Sequence, residues 1–275
     1  MNINIFIICS IFFSFVTPST LNCNFKYETY EHPKDKKVYQ CLATNNGDIW
    51  TKKRVKIEAI TGKHENNKEN INVEGFSVAS KLDVNYLPEG LEKFFPKLSL
   101  INAQSSGLLE IKPENFKNFP DLKFVYLSNN KIERISKEHF SQNANLEVVW
   151  LDKNSIVHID LTSFIKNTKI FSLRLDNNFC YGRFFNAETE NDVKRVSQEI
   201  LNGHCFNEEL DKIYQEIDNK TAIIRQQDEK IETLKEKIKT LIISLYSFIG
   251  VIVFLVIVMI ILVISIVVMK CNVRA

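Results

Sequence analysis

LSLINAQSSGLLEIKPENFKNFPD (98–121), LKFVYLSNNKIERISKEHFSQNAN (122–145), LEVVWLDKNSIVHIDLTSFIKNTK (146–169) and IFSLRLDNNF (170–179) follow one another without a gap, each restarting 24 residues after the last. From the starts at Leu98, Leu122, Leu146 and Ile170, apolar residues return at +3, +5, +10, +13 and +18. They are Ile101, Ala103, Leu108, Ile111 and Phe116, then Val125, Leu127, Ile132, Ile135 and Phe140, then Val149, Leu151, Ile156, Ile159 and Phe164. At +8, inside this apolar frame, stand Ser106, Asn130, Asn154 and Asn178. A chain turning out of a short strand leaves backbone groups without partners, and an amide side chain repeated at that point can satisfy them as a ladder. One such unit cannot bury its own apolar side, so the units must stack.

The spacing LxxLxLxxNxLxxIxxxxF resembles that of extracellular leucine-rich repeat proteins over residues 98–179. The resemblance implies an α/β solenoid with a parallel sheet on its concave face. Upstream, Val84, Leu87, Pro88, Leu91, Phe95 and Pro96 match the second half of a repeat, with Val73, Phe76 and Val78 as its strand if the register slips by a residue. Residues 21–97 are therefore read as an N-terminal cap with an irregular leading repeat, 98–179 as the repeats and 180–205 as a C-terminal cap.

In each strand the residues at +3 and +5 face the core, so two-residue alternation turns +2, +4 and +6 to the concave side. The middle row reads Asn102, Tyr126, Trp150, Arg174, beside Phe124 and Val148 and bordered by Asp152 and Asp176. Tyr, Trp and Arg are enriched at interface hot spots. Phe124, Tyr126, Val148, Trp150, Asp152, Arg174 and Asp176 are thus the candidate protein-binding residues. The competing expectation is that these rings pack on one another, or under the N-terminal cap, as cross-strand pairs.

A short stack has two open apolar ends. Cys23 and Cys41 precede the repeats and Cys180 and Cys205 follow them, while Cys9 and Cys271 lie in apolar or terminal segments. Four cysteines admit three pairings. The resemblance implies local pairing, Cys23 with Cys41 and Cys180 with Cys205, one staple at each end, each worth roughly 3 kcal/mol by the chain-entropy model.

Ile3–Val16 is an apolar run too short to span a bilayer, followed by Thr17, Pro18, Ser19 and Thr20; residues 1–20 read as a secretory signal. A second run, 241–269, contains no charged residue and at ~1.5 Å per residue exceeds a ~30 Å hydrocarbon core, so it spans with tilt. Charge bias at its flanks does not orient it, since Lys235, Lys237 and Lys239 oppose Lys270 and Arg274. The leader sets the N-terminus outside, as a type I single-pass protein of the plasma membrane. The tail, 270–275, is too short for a signalling domain.

Residues 206–240 lack Gly and Pro and carry a heptad, with Leu210, Ile217, Ile224, Ile231 and Ile238 at a, and Ile213, Lys220, Gln227, Leu234 and Leu241 at d. Ile at a favours a two-stranded coiled coil, hence a homodimer through the stalk, and a lone amphipathic helix is the alternative. The sequon Asn219-Lys220-Thr221 puts Asn219 at the solvent-facing c position as a glycosylation site. Cys271 is a candidate for palmitoylation.

Apart from Lys270 and Arg274, the 35 basic residues lie in 21–240 with all 33 acidic ones, so that segment is neutral, which argues against nucleic acid. Lys34–Lys37 and the run Lys63–Asn72 read as solvated loops. His32, His64, His139, His158 and His204 fall in no metal-ligand spacing, and no GxSxG or phosphate-binding Gly loop occurs. His139 and His158 read as convex or turn residues. Neither catalysis, nor a cofactor, nor a metal is expected. The sequence points to a membrane-anchored receptor or adhesion-type molecule that binds a protein ligand, a role the resemblance extends to innate-immune recognition. A structural spacer acting through the stalk is the alternative.

Overall fold

The computed structural model describes residues 19–81, 83–160, 163–164, 166–180, 186–187, 191 and 208–272. The expected signal segment apart from Ser19 and Thr20, most of the C-terminal cap with Cys205, and residues 273–275 lie outside them.

The chain divides into two compact units, at Asp211. In the first, short strands recur at the repeat interval: β1 (Thr20–Thr29), β2 (Lys37–Ala43), β3 (Ala59–Thr61), β4 (Gly75–Ser77), β5 (Leu100–Asn102), β6 (Phe124–Tyr126), β7 (Arg134–Ile135), β8 (Val148–Trp150), β9 (His158–Ile159), β10 (Ser172–Arg174) and β11 (Asn186–Ala187). A four-residue helix, α1 (Asp48–Thr51), follows β2. The main sheet runs β11-β10-β8-β6-β5-β4-β2-β1-β3, and β7 pairs with β9 on its own. From β2 through β10 the neighbours are parallel, and Leu100, Phe124, Val148 and Ser172 stand opposite one another at 24-residue steps. Phe76 pairs with Ile101, one residue longer than that step, which is the slipped register expected of the leading repeat.

The apolar positions of the pattern form one continuous core, including Ile101, Val125, Val149 and Leu173 from the strands and Leu108, Ile132 and Ile156 from the turns. On the convex side the phenylalanines at +18 stack in a column, Phe116 to Phe140 at 5.2 Å and Phe140 to Phe164 at 5.7 Å between ring centres. The amide ladder is present. Asn130 Oδ1 accepts from the N–H groups of Ser106 and Leu108, and its Nδ2 donates to the carbonyls of Ala103 and Leu127 at 2.8 Å. Asn154 and Asn178 repeat the arrangement one turn on. Ser106, fully buried, fills the same place with its hydroxyl, which donates to the Val78 carbonyl at 2.8 Å.

Two further polar columns run along the turns. Asn143 Nδ2 donates to the carbonyls of Phe116 and Phe119, and Asn167 Nδ2 to those of Phe140 and Asn143. At +17, Asn115, His139 and Ser163 each tie back to a carbonyl of the preceding turn, Leu87, Ile111 and Ile135 respectively. His139 Nδ1 accepts the Ser136 N–H at 2.8 Å, so the ring is held with its proton on Nε2, donating to Ile111. Each strand exits through a left-handed residue, Ser105 (φ 53°), Asn129 (58°), Lys153 (55°) and Asn177 (56°), which turns the chain sharply out of the sheet.

The N-terminal end is closed by the antiparallel β1–β2 hairpin, which joins the solenoid sheet through β2 and β4. Cys23 and Cys41 are disulfide-bonded across it, as the local pairing requires. Leu21, Phe25, Tyr39, Cys41 and the fully buried Trp50 form its apolar filling, and Trp50 Nε1 donates to the Asn45 carbonyl. Gly75 is required at the junction, since a Cβ there would lie 2.9 Å from Val38 Cγ1 and 3.0 Å from Gln40 Cβ. At the other end Cys180 is disulfide-bonded.

The second unit is part of one unbroken helix, α2 (Glu208–Asn272). Its stretch Lys212–Leu262 is long and apolar enough to cross a membrane.

Candidate functional site

Alternation along three-residue strands sorts the side chains as the pattern requires. Ile101, Val125 and Val149 enter the core, while Leu100, Phe124, Tyr126, Val148 and Trp150 form a separate apolar cluster on the opposite, concave side. Register places Ser77, Asn102, Tyr126, Trp150 and Arg174 in one row. The expected row therefore exists.

Its expected exposure does not. Phe124 is 5% exposed, Tyr126 1%, Val148 0%, Trp150 6%, Asp152 9% and Asp176 6%. The cover is the segment Tyr30–Lys36 that joins β1 to β2, and it lies across the aromatic floor. The Tyr30 ring stacks on Tyr126 with centres 5.7 Å apart and planes 10° apart. The Tyr30 hydroxyl donates to Gln40 Oε1. The Tyr126 hydroxyl donates to the carbonyl of His32, whose ring stands edge-on to Trp150 and to Phe171. His32–Pro33 is a cis peptide bond. The physical reason is plain: a row of clustered rings on an open sheet is costly in water, and the cap loop carries the apolar and hydrogen-bonding groups that cover it.

Arg174 closes the edge of this cover. Its guanidinium lies 3.6 Å above the Trp150 ring and its Nη2 is 3.2 Å from Glu31 Oε1, so one cation is shared between floor and loop. Trp150 Nε1 donates to Ser172 Oγ at 3.0 Å. Burial is the main cause that raises the phenols of Tyr126 and Tyr30 above the usual tyrosine range, Tyr126 strongly, with Glu31 acting in the same direction at Tyr126 and Glu28 at Tyr30.

Beyond the loop the concave side opens into a polar groove of about 500 Å³, lined in part by Gln104, Ser128, Asn129, Asp152, Lys153 and Arg174. Ser128 Oγ donates to Asp152 Oδ1. Asp176 is pushed above the ordinary carboxylate range, first by burial and then by the charge of Asp152. Among the described residues no group of three or more His, Cys, Asp or Glu side chains could hold a metal ion. Lys34, Asp35 and Lys36, on the outer side of the loop, are exposed, in keeping with their reading as solvated.

The competing expectation, rings packed on one another and under the N-terminal cap, describes the row, but which cap residues cover it was not legible, because Tyr126 and His32 are 94 residues apart and no period links them. The columns at Asn143 and Asn167 and at Asn115, His139 and Ser163 do carry a signal, the same 24-residue step, in polar rather than apolar positions.

With this geometry in hand, comparison agrees with it. Residues 96–156 and 125–179 match the leucine rich repeat family. The matched residues, 96–179, contain the strands β5, β6, β8 and β10 of the parallel solenoid sheet. A search among curated proteins finds no match. Among solved structures, the chain is similar to one in the Toll–Spatzle complex, described as a molecular hub in Drosophila development and innate immunity. The identity is 22% and the TM-score 0.38, over 46% of this chain and 16% of that one. The chain thus spans about one sixth of the length of that relative.

Proposed function

We propose that this chain is a plasma-membrane protein of type I topology that binds a protein partner on the concave side of its repeats, without chemistry. The single observation that supports this most is the joining of the cap loop to the open polar groove by Arg174, which contacts both Glu31 and Trp150. The aromatic floor of Phe124, Tyr126, Val148 and Trp150 fixes the loop from beneath. What a partner meets is the outer side of that loop together with Lys153 and Arg174, with the carboxylates of Asp152 and Asp176 setting the charge beneath them. A loop ordered before binding loses little entropy on binding, so a modest polar surface suffices for specificity. Residues 241–269 would anchor the chain and Asn219 would carry a glycan on the outer side.

The test is capture of ligand from extracellular fluid by secreted residues 21–240. Lys34→Gln with Lys36→Gln and Lys153→Gln should abolish capture at little cost in thermal stability, since all three side chains are exposed and the pair of Lys36 with Glu74 is a solvated one. Capture that survives all three changes refutes the reading. The unbroken helix of 65 residues favours the spacer as a second reading. In that case deletion of the repeats would leave the cellular role intact.

A further inference from the structure

Among the described residues, helix α2 displays an exposed apolar seam. Ile217, Ile224, Ile231 and Ile238, one every seven residues, are 48% to 55% exposed, and Ile213 and Leu234 beside them are each 51% exposed. Aliphatic residues at this spacing on a solvated helix call for a second helix. The charges beside the seam say which kind.

A strand of a coiled coil reads its partner through the e and g positions that flank a and d. In the frame set by Ile217 and Ile224, Glu216, Lys230 and Lys237 occupy g, Asp228 and Lys235 occupy e, and Lys220 sits within the seam at d, so the charged flanks turn wholly basic from Lys230 on. Two copies held by the same membrane anchor, as proposed above, must pair in parallel. In that arrangement each g residue faces the e residue five positions on in the other helix. Lys230 then faces Lys235 of the second copy, and by symmetry the contact occurs twice. Lys220 faces Lys220 across the seam. The ion pairs of Lys220 with Glu216 and of Lys235 with Glu232, at 2.7 Å, lie within one helix and both partners are more than 60% exposed. They are solvated pairs of small worth and do not remove the repulsion between copies. Like charges set opposite one another are how a helix with a good seam rejects the wrong partner.

We propose that the stalk is one strand of a heterologous parallel coiled coil, whose other strand is a helix with aliphatic a positions and acidic residues opposite Lys220, Lys230, Lys235 and Lys237, and that the same lysines disfavour a second copy of this chain. This takes the place of the homodimer that the heptad alone suggests. It uses the anchored topology only to fix the parallel direction.

The experiment uses the full chain in detergent with two synthetic helical probes. Both carry the same Ile and Leu seam; one has Glu, the other Lys, at the positions facing the four lysines. At micromolar concentration and 150 mM salt the chain alone should be monomeric by light scattering. The Glu-edged probe should bind at least tenfold more tightly than the Lys-edged one, and the difference should shrink at 1 M salt, where screening shortens to ~3 Å. Lys220→Ile with Lys235→Glu leaves Gln227 as the one polar residue of the seam and sets Lys230 opposite Glu, and should convert the chain to a dimer. A wild-type chain that already dimerises as well as this variant overturns the proposal. So do probes that bind equally, or a variant that stays monomeric while neither probe binds. Glycan at Asn219 in cells tests the topology separately, so a failure there is distinguishable from a failure of the pairing.

Discussion

Removing the two rings of the cap loop, by Tyr30→Ala with His32→Ala, should uncover the aromatic floor without unfolding the solenoid. Three ring contacts disappear, Tyr30 on Tyr126, His32 on Trp150 and His32 on Phe171, each worth roughly 0.5–1.5 kcal/mol. The hydrogen bond from the Tyr30 hydroxyl to Gln40 goes as well, for about 1 kcal/mol. The backbone carbonyl of His32 remains to accept from Tyr126, so the loop is loosened rather than freed. The sum is about 4 kcal/mol, below the total stability of an ordinary domain. The reporter is Trp150. The chain has two tryptophans, and Trp50 is fully buried in the cap, so Trp50→Phe leaves Trp150 as the one indole. In that background the emission should be blue and poorly quenched by acrylamide. After Tyr30→Ala with His32→Ala it should shift red, quench readily and unfold at lower urea. An indole already open to quencher before the loop is changed would refute the covered floor, and so would a double variant that alters neither quenching nor urea midpoint.

Other consequences are checked more simply. Asn154→Ala leaves the Ile132 N–H and the Leu127 and Leu151 carbonyls without their amide partner and should cost about 3–5 kcal/mol in urea unfolding, whereas Lys131→Ala, at an exposed position one turn earlier, should cost under about 0.5 kcal/mol. Cys41→Ser opens the cap hairpin and should lower stability by about 3 kcal/mol. Tyr126 is held protonated by burial; its contribution is complete below about pH 10, the unfolded tyrosine value, and is lost as pH rises above it. An ultraviolet titration should therefore show a late phenol that Tyr126→Phe removes. The carboxyl of Asp176 is raised rather than lowered, so its charge opposes folding at neutral pH. Asp176→Asn should stabilise the chain at pH 7, and the gain should vanish once acid has protonated the wild-type side chain.

The sheet could be read from the sequence because it repeats: 24 residues is long enough to hold one strand and one return, and four copies leave no other frame for Val125, Val149 and Leu173. The concave row was legible for the same reason. Cover by the cap was the competing expectation, but its residues were not legible, because Tyr30 to Lys36 belong to a cap that occurs once and has no second copy to reveal its register. The hydrogen bonds of Asn143, Asn167 and His139 were overlooked for a different reason. They use polar residues in turns, where solvent is the usual partner, and only burial shows that the carbonyls of Phe116, Phe140 and Ile111 have no water to turn to.

The covered floor also bears on how recognition and stability divide the same residues. Tyr126, Trp150 and Arg174 are of the types that dominate interfaces, yet here they already have an interface, with residues 30–33 of their own chain. A partner that displaced the loop would have to replace roughly the 4 kcal/mol worked out above before gaining any net affinity. A partner that leaves the loop in place incurs no such cost and reads a surface the floor has made rigid. The two routes give opposite signs to the same substitution: loosening the loop by Tyr30→Ala with His32→Ala strengthens binding if the floor is the target and weakens it if the loop is. The energetics favour the second, so the double variant should bind its ligand more weakly. Tighter binding by that variant would return Tyr126 and Trp150 to the contact surface.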